Sequence, residues 1–149
     1  MRALTAAVVV AALAVSAGPA VAKPKPKPIT KSYGATAPVP DPTNASPQTP
    51  YSVCPQVVPQ SFQMDAFKAP AAGKLAVKLT GIIGDWDLLI MNDKKAEVGA
   101  SGSGGYGTPV STSTEAATIK VKKAGTFYIV ACNWAGAPTA TVSYTFTYA

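Results

Sequence analysis

The chain of 149 residues contains no histidine. That removes the commonest general acid or base and the Ser/His arrangements of nucleophilic hydrolases. Cysteine occurs only twice, at Cys54 and Cys132, so one intramolecular disulfide is the single pairing available, and it would leave no thiolate nucleophile. Acidic residues number seven. A glycoside-cleaving carboxylate pair would have to come from Asp85, Asp87 or Glu115, and nothing in their spacing sets two of them across a cleft. No window beyond the N-terminus has helical periodicity, so no glycine loop opens a helix to cradle phosphate. No later apolar run is long enough to serve as a membrane anchor.

What is present begins with MRALTAAVVVAALAVSAGPAVA: a positive charge at Arg2, an apolar run over residues 6–15, and small residues at Ala20 and Ala22 ahead of Lys23. This is the layout of a secretory signal peptide, residues 1–22, and it predicts an exported, extracellular protein with no membrane span after processing. The processed chain carries twelve lysines against seven acids, a net charge of +5. Four of those lysines fall before residue 51, leaving eight against six acids in residues 51–149. The basicity is thus largely that of a tail, and no nucleic-acid partner is expected. Export into an oxidising compartment predicts a Cys54–Cys132 disulfide. Closing a loop of that length stabilises the fold by roughly 4 kcal/mol in the chain-entropy model.

Residues 23–50 hold eight prolines and no apolar period. They read as a disordered Lys/Pro-rich linker, extended where Lys and Pro alternate. Such a spacer either keeps the exported segment soluble or contacts an anionic polymer. From residue 51 the texture changes to short alternating runs. Leu75, Val77 and Leu79 share one face of GKLAVKLTG; Ala117, Ile119 and Val121 share one face of EAATIKVKK; Val142, Tyr144, Phe146 and Tyr148 share one face of TATVSYTFTY. GTFYIVACNW is apolar on both faces, as in a strand covered on both sides. With SFQMDAF, DWDLLIM and AEVGA the strands number seven, and YSVCPQVV is a candidate eighth. The prediction for residues 51–149 is an all-β, antiparallel β-sandwich or jelly roll of seven to eight strands.

The segment GDWDLLIMNDKKAEV (residues 84–98), followed by KAGTFYIV (residues 123–130), resembles the bacterial pre-peptidase C-terminal domain over roughly residues 60–148. That family carries a D-x-D-L-Y-L strand, a D-x-x-G-K-x-V turn and a later A-G-T-Y-Y-V strand. Here Leu89 stands in place of the aromatic, Asp93-Lys94-Lys95 has no turn glycine, and the cysteine pair is not a hallmark of the family. The resemblance implies an accessory β-sandwich attached to secretion, adhesion or surface display, although no enzyme precedes it in this chain.

Candidate sites are few. Asp85 and Asp87 flank Trp86 and project from one side of a strand, so with Asp93 as a third acid they are the candidate ligands for calcium; some relatives of this domain type bind that ion. Trp86 is in phase with Leu88 and Ile90 and reads as core. Trp134, in CNWAGAP, either stacks on a sugar or polymer or packs over the disulfide. Tyr106 is the one aromatic of the glycine-rich loop over residues 99–114 and a second candidate contact. The threonines at 139, 141, 145 and 147 form a row on the last strand that, unrepeated on neighbouring strands, reads as an ordinary solvent face. The functional expectation is a non-catalytic secreted module binding extracellular polysaccharide, cell wall or protein matrix. The alternatives are a structural or regulatory partner of a separately encoded exported enzyme and a hydrolase with an unrecognised acid pair.

Overall fold

The computed structural model describes residues 24–40, 54, 58–101 and 114–149. The predicted signal peptide, Tyr106 and most of the YSVCPQVV segment lie outside these. Eight strands run through the described residues: β1 (Ile29–Thr36), β2 (Phe62–Ala69), β3 (Gly73–Thr80), β4 (Gly84–Met91), β5 (Glu97–Ser101), β6 (Glu115–Val121), β7 (Gly125–Gly136) and β8 (Thr139–Tyr148). They form two four-stranded antiparallel sheets, ordered β1-β8-β3-β6 and β2-β7-β4-β5. Only β4 and β5 are joined within one sheet; every other connection passes from one sheet to the other. This interleaving of two Greek keys is the jelly-roll arrangement. No helix among the described residues is long and apolar enough to cross a membrane.

Alternation dictates the core. Leu75, Val77 and Leu79 of β3, Trp86, Leu88 and Ile90 of β4, Ala117, Ile119 and Val121 of β6, and Val142 and Phe146 of β8 turn into the space between the sheets and are buried. Phe67 of β2 packs on Tyr144 and Phe146 across that space, ring centroids 5.0 and 5.5 Å apart. Residues of opposite parity in β7 and β4 build a second cluster on the outer face of their sheet: Val130, Cys132, Leu89 and Met91, with Phe62, Met64, Tyr128 and Trp134 packed beside them. Cys54 joins this cluster and is disulfide-bonded to Cys132, the Cα atoms 5.8 Å apart. The two-sided burial expected of GTFYIVACNW thus has a concrete cause: β7 lies between β2 and β4, with the interior on one face and the cystine cluster on the other.

One boundary needs correction. The stretch expected to be linker throughout, residues 23–50, contributes β1, which pairs along its whole length with β8 from Ile29↔Phe146 to Thr36↔Thr139. Its inward residues Ala35 and Ala37 are buried, and Ile29 and Tyr33 pack against the core. The prolines at 28 and 38 bracket the strand. As an edge strand that pairs on one side only, β1 tolerates such flanks, and they oppose further edge pairing. The eighth strand is therefore β1, where the sequence reading had offered YSVCPQVV.

The β4–β5 turn explains another departure noted in the sequence. Asn92 Oδ1 accepts from the amides of Lys94 and Ala96 at 2.9 and 3.0 Å. Lys95, where a glycine would be usual, takes φ +61°. Its ammonium stands 3.0 Å from the centroid of the Tyr128 ring, an attraction that helps hold a lysine in a left-handed conformation.

Candidate functional site

The acids come first, because a calcium site was expected of them. The carboxyl of Asp87 is only 7% exposed, on the outer side of β4 next to Cys132 in the ladder. Burial, then the nearby charges of Asp85 and Glu115, push its pKa up to about 8. Asp85 is also shifted upward, by burial and then by Glu115. The expected third ligand is elsewhere: β4 stays extended to Met91, about 13 Å beyond Asp87, and Asp93 lies farther on, exposed in the hairpin turn. The trio Asp85, Asp87 and Asp93 is thus not brought together, because an extended strand carries its residues apart. Among the described residues no group of three histidine, cysteine, aspartate or glutamate side chains is placed to hold a metal ion.

Glu115, on β6, is the acid that joins the neighbourhood instead. It is buried and accepts a hydrogen bond from Ser101 Oγ. Ser101 ends β5 and Glu115 begins β6, so this bond ties the edges of the two sheets together. Sequence reasoning noticed Glu115 only as an acid. The signal in EAATIKV was its parity, which places residue 115 on the same inward face as Ala117, Ile119 and Val121.

Of the two aromatic candidates, only Trp134 is described. The β4–β7 ladder slips between Asp85↔Ala135 and Trp86↔Asn133, which leaves Trp134 as the additional residue of a bulge. The ring packs half-buried against the cluster that contains Cys54 and Cys132.

The two sheets differ in what their outer faces present. The outer face of β2-β7-β4-β5 carries the cystine cluster. The outer face of β1-β8-β3-β6 is polar and uncovered among the described residues. Its rows follow from the registers: Thr30, Thr145, Ala76 and Thr118 lie side by side across all four strands, as do Ser32, Ser143, Lys78 and Ala116. Gly34, Thr141 and Thr80 form a third row, and Thr147, Lys74 and Lys120 a fourth. All these residues are exposed or half-buried. The threonine row of β8 is continued on β1 by Thr30, Ser32 and Thr36, whereas on β3 only Thr80 repeats it. Neighbouring strands set these hydroxyls about 4.8 Å apart.

Charge is segregated to match. The only acid in the four strands of this sheet is Glu115, which is buried. Among the described residues the other acids, Asp65, Asp85, Asp87, Asp93 and Glu97, belong to the opposite sheet or its hairpin. An open groove of about 430 Å³ crosses one end of the face, lined among others by Lys74, Thr118, Lys120, Thr147 and Tyr148. No family model and no curated protein matches this chain by sequence.

Proposed function

We propose that this protein is an exported, non-catalytic binding domain that adheres to extracellular polysaccharide, cell wall or protein matrix through the outer face of β1-β8-β3-β6. The observation that carries this reading is the unequal treatment of the two sheets. One outer face is filled by apolar side chains and a cystine, while the other presents ordered rows of small hydroxyl side chains and lysines. An array of donors and acceptors fixed at strand spacing by the sheet can meet a repeating hydroxylated polymer without induced fit. Export is supported by the N-terminal layout and by the disulfide. The non-catalytic reading is supported by the want of histidine and by the commitment of both cysteines to the disulfide.

The test is retention of the exported chain on a panel of insoluble matrices: neutral glycans, acidic glycans, cell-wall material and collagen. Retention should fall at least tenfold in Thr145→Tyr, which raises a bulky ring in the middle of the face while keeping a strand-compatible residue. The melting temperature should stay within a few degrees. No retention on any matrix, or retention indifferent to Thr145→Tyr, overturns the proposal.

A further inference from the structure

We infer that the polymer this face takes is polyanionic: a hydroxyl-rich glycan chain bearing repeated carboxylate or phosphate groups, laid across the row Thr147, Lys74, Lys120. The inference rests on the adhesive reading above and names the ligand class for the same surface.

Three observations carry it. Lys74 stands directly opposite Lys120 in the β3–β6 ladder and opposite Thr147 in the β3–β8 ladder. Two like charges in register repel each other, an arrangement that weakens a sheet, and no acid on this face offsets it. An anionic ligand does. These two lysines also line an open groove at that end of the face.

Second, further lysines gather at the same end of the sheet. Val121 pairs with Gly73 beside Lys74, so the exposed Lys122 and Lys123 leave β6 there. Ile29 pairs with Phe146, so the exposed Lys25 and Lys27 enter β1 near Tyr148, which lines the groove. Positive charge spread over a row and an arm suits a chain of anions better than a single ion, because the polymer gives up its condensed counterions to many weak contacts.

Third, the face favours a glycan over a nucleic acid. The rings of this sheet, Tyr33, Tyr144, Phe146 and Tyr148, pack with the core, and the face itself consists of Thr, Ser, Ala, Gly and Lys. Bases would find only the half-buried Tyr148 at the groove end to stack on, whereas sugar hydroxyls would meet Thr30, Thr118 and Thr145.

The experiment measures retention of the exported chain on immobilised polygalacturonate and on poly(glycerol phosphate), with a neutral β-glucan and single-stranded DNA as comparisons, between 50 and 300 mM NaCl. Binding to one or both anionic polymers should fall roughly 40-fold across that range, as about three neutralised charges require. Lys74→Gln with Lys120→Gln should reduce retention at least tenfold and flatten the salt dependence, with an equal or higher melting temperature because the repulsion is gone. Lys94→Gln, on the hairpin of the other sheet, should leave retention unchanged and serves as the control for a lysine lost away from this face. Equal loss in Lys94→Gln, or tighter binding to DNA than to either polymer, overturns the inference. Retention on the neutral glucan that ignores the lysine variants also overturns it but leaves the adhesive reading standing; retention on nothing removes both.

Discussion

The indole N–H of Trp86 and the side-chain amide of Asn133 donate to the same acceptor, the carbonyl of Ala137, at 3.0 and 3.2 Å. One comes from β4 and the other from β7, so both central strands of a sheet hold the turn that leads into β8. Asn133 also donates to the carbonyls of Ala37 at 2.8 Å and Gly136 at 3.2 Å, and its Oδ1 accepts from the Gly136 amide at 2.7 Å. Through Ala37 the same side chain fastens the end of β1. Gly136 is small for a reason: a Cβ there would sit 2.8 Å from the indole of Trp86.

Asn133→Ala should therefore destabilise the fold by about 2–4 kcal/mol, the cost of several buried backbone groups losing their partner at once. Urea unfolding checks this. A change under 0.5 kcal/mol would show that Asn133 does not hold the β7–β8 turn.

Asp87 predicts a pH dependence of definite sign. Its folded pKa, pushed up to about 8, lies well above the ordinary aspartate range, so the folded state binds the proton more tightly. The stability this group contributes is complete below about pH 4 and declines as the pH rises toward 8, at up to about 1.4 kcal/mol per unit where only the folded form stays protonated. Asp87→Asn should flatten the melting temperature between pH 5 and 8 and should be more stable than the parent at pH 8.5. A parent whose stability rises over that interval, or a variant with an unchanged profile, contradicts this assignment.

Calcium in excess, or its removal by chelator, should leave the melting temperature unchanged, since Asp93 lies far along the extended chain from Asp85 and Asp87. Thermal scans with 5 mM calcium and with chelator decide it. A rise of several degrees that Asp87→Asn abolishes would restore a metal site at these acids.

Loss of the disulfide, in Cys54→Ser with Cys132→Ser, should cost roughly 4 kcal/mol, as expected for cross-linked residues 78 apart. It should also loosen the cover over Leu89, Met91 and Val130. Emission from Trp134 should shift to the red while that of Trp86, 1% exposed in the core, stays blue; single-tryptophan variants separate the two. Unchanged Trp134 emission would mean that the cystine is not what keeps that cluster closed.

Lys95 separates two opposing effects. Lys95→Gly relieves the left-handed backbone but removes the cation from the Tyr128 ring, so the change should stay within about 0.5 kcal/mol of zero. Lys95→Ala keeps the strain and loses the ring contact, costing about 1–2 kcal/mol. Chemical denaturation of the two variants measures the difference, and equal stabilities would show that the turn conformation carries no cost.

Much of the sandwich was legible in the chain because burial imposes a two-residue period on each strand. Leu75 to Leu79, Ala117 to Val121 and Val142 to Phe146 lie on the faces their alternation assigned, and Trp86 is core. β1 is hard to read because ITKSYGAT places few apolar residues between prolines; what makes it a strand is β8, more than 100 residues away in sequence. The sites were less legible. Asp85, Asp87 and Asp93 looked like one group because sequence distance was short, whereas an extended strand turns each residue of separation into about 3.3 Å.

The sequence by itself determined the all-β class, the disulfide partners and the inward face of most strands, since each of these follows from local alternation or from there being only two cysteines. Only the tertiary structure decided which strands are neighbours. That choice set Lys74 opposite Lys120, continued the hydroxyl row of β8 on β1, and buried Asp87 beside a cystine. Cross-strand adjacency arises from closing long loops around a shared core, and no short window of residues carries it.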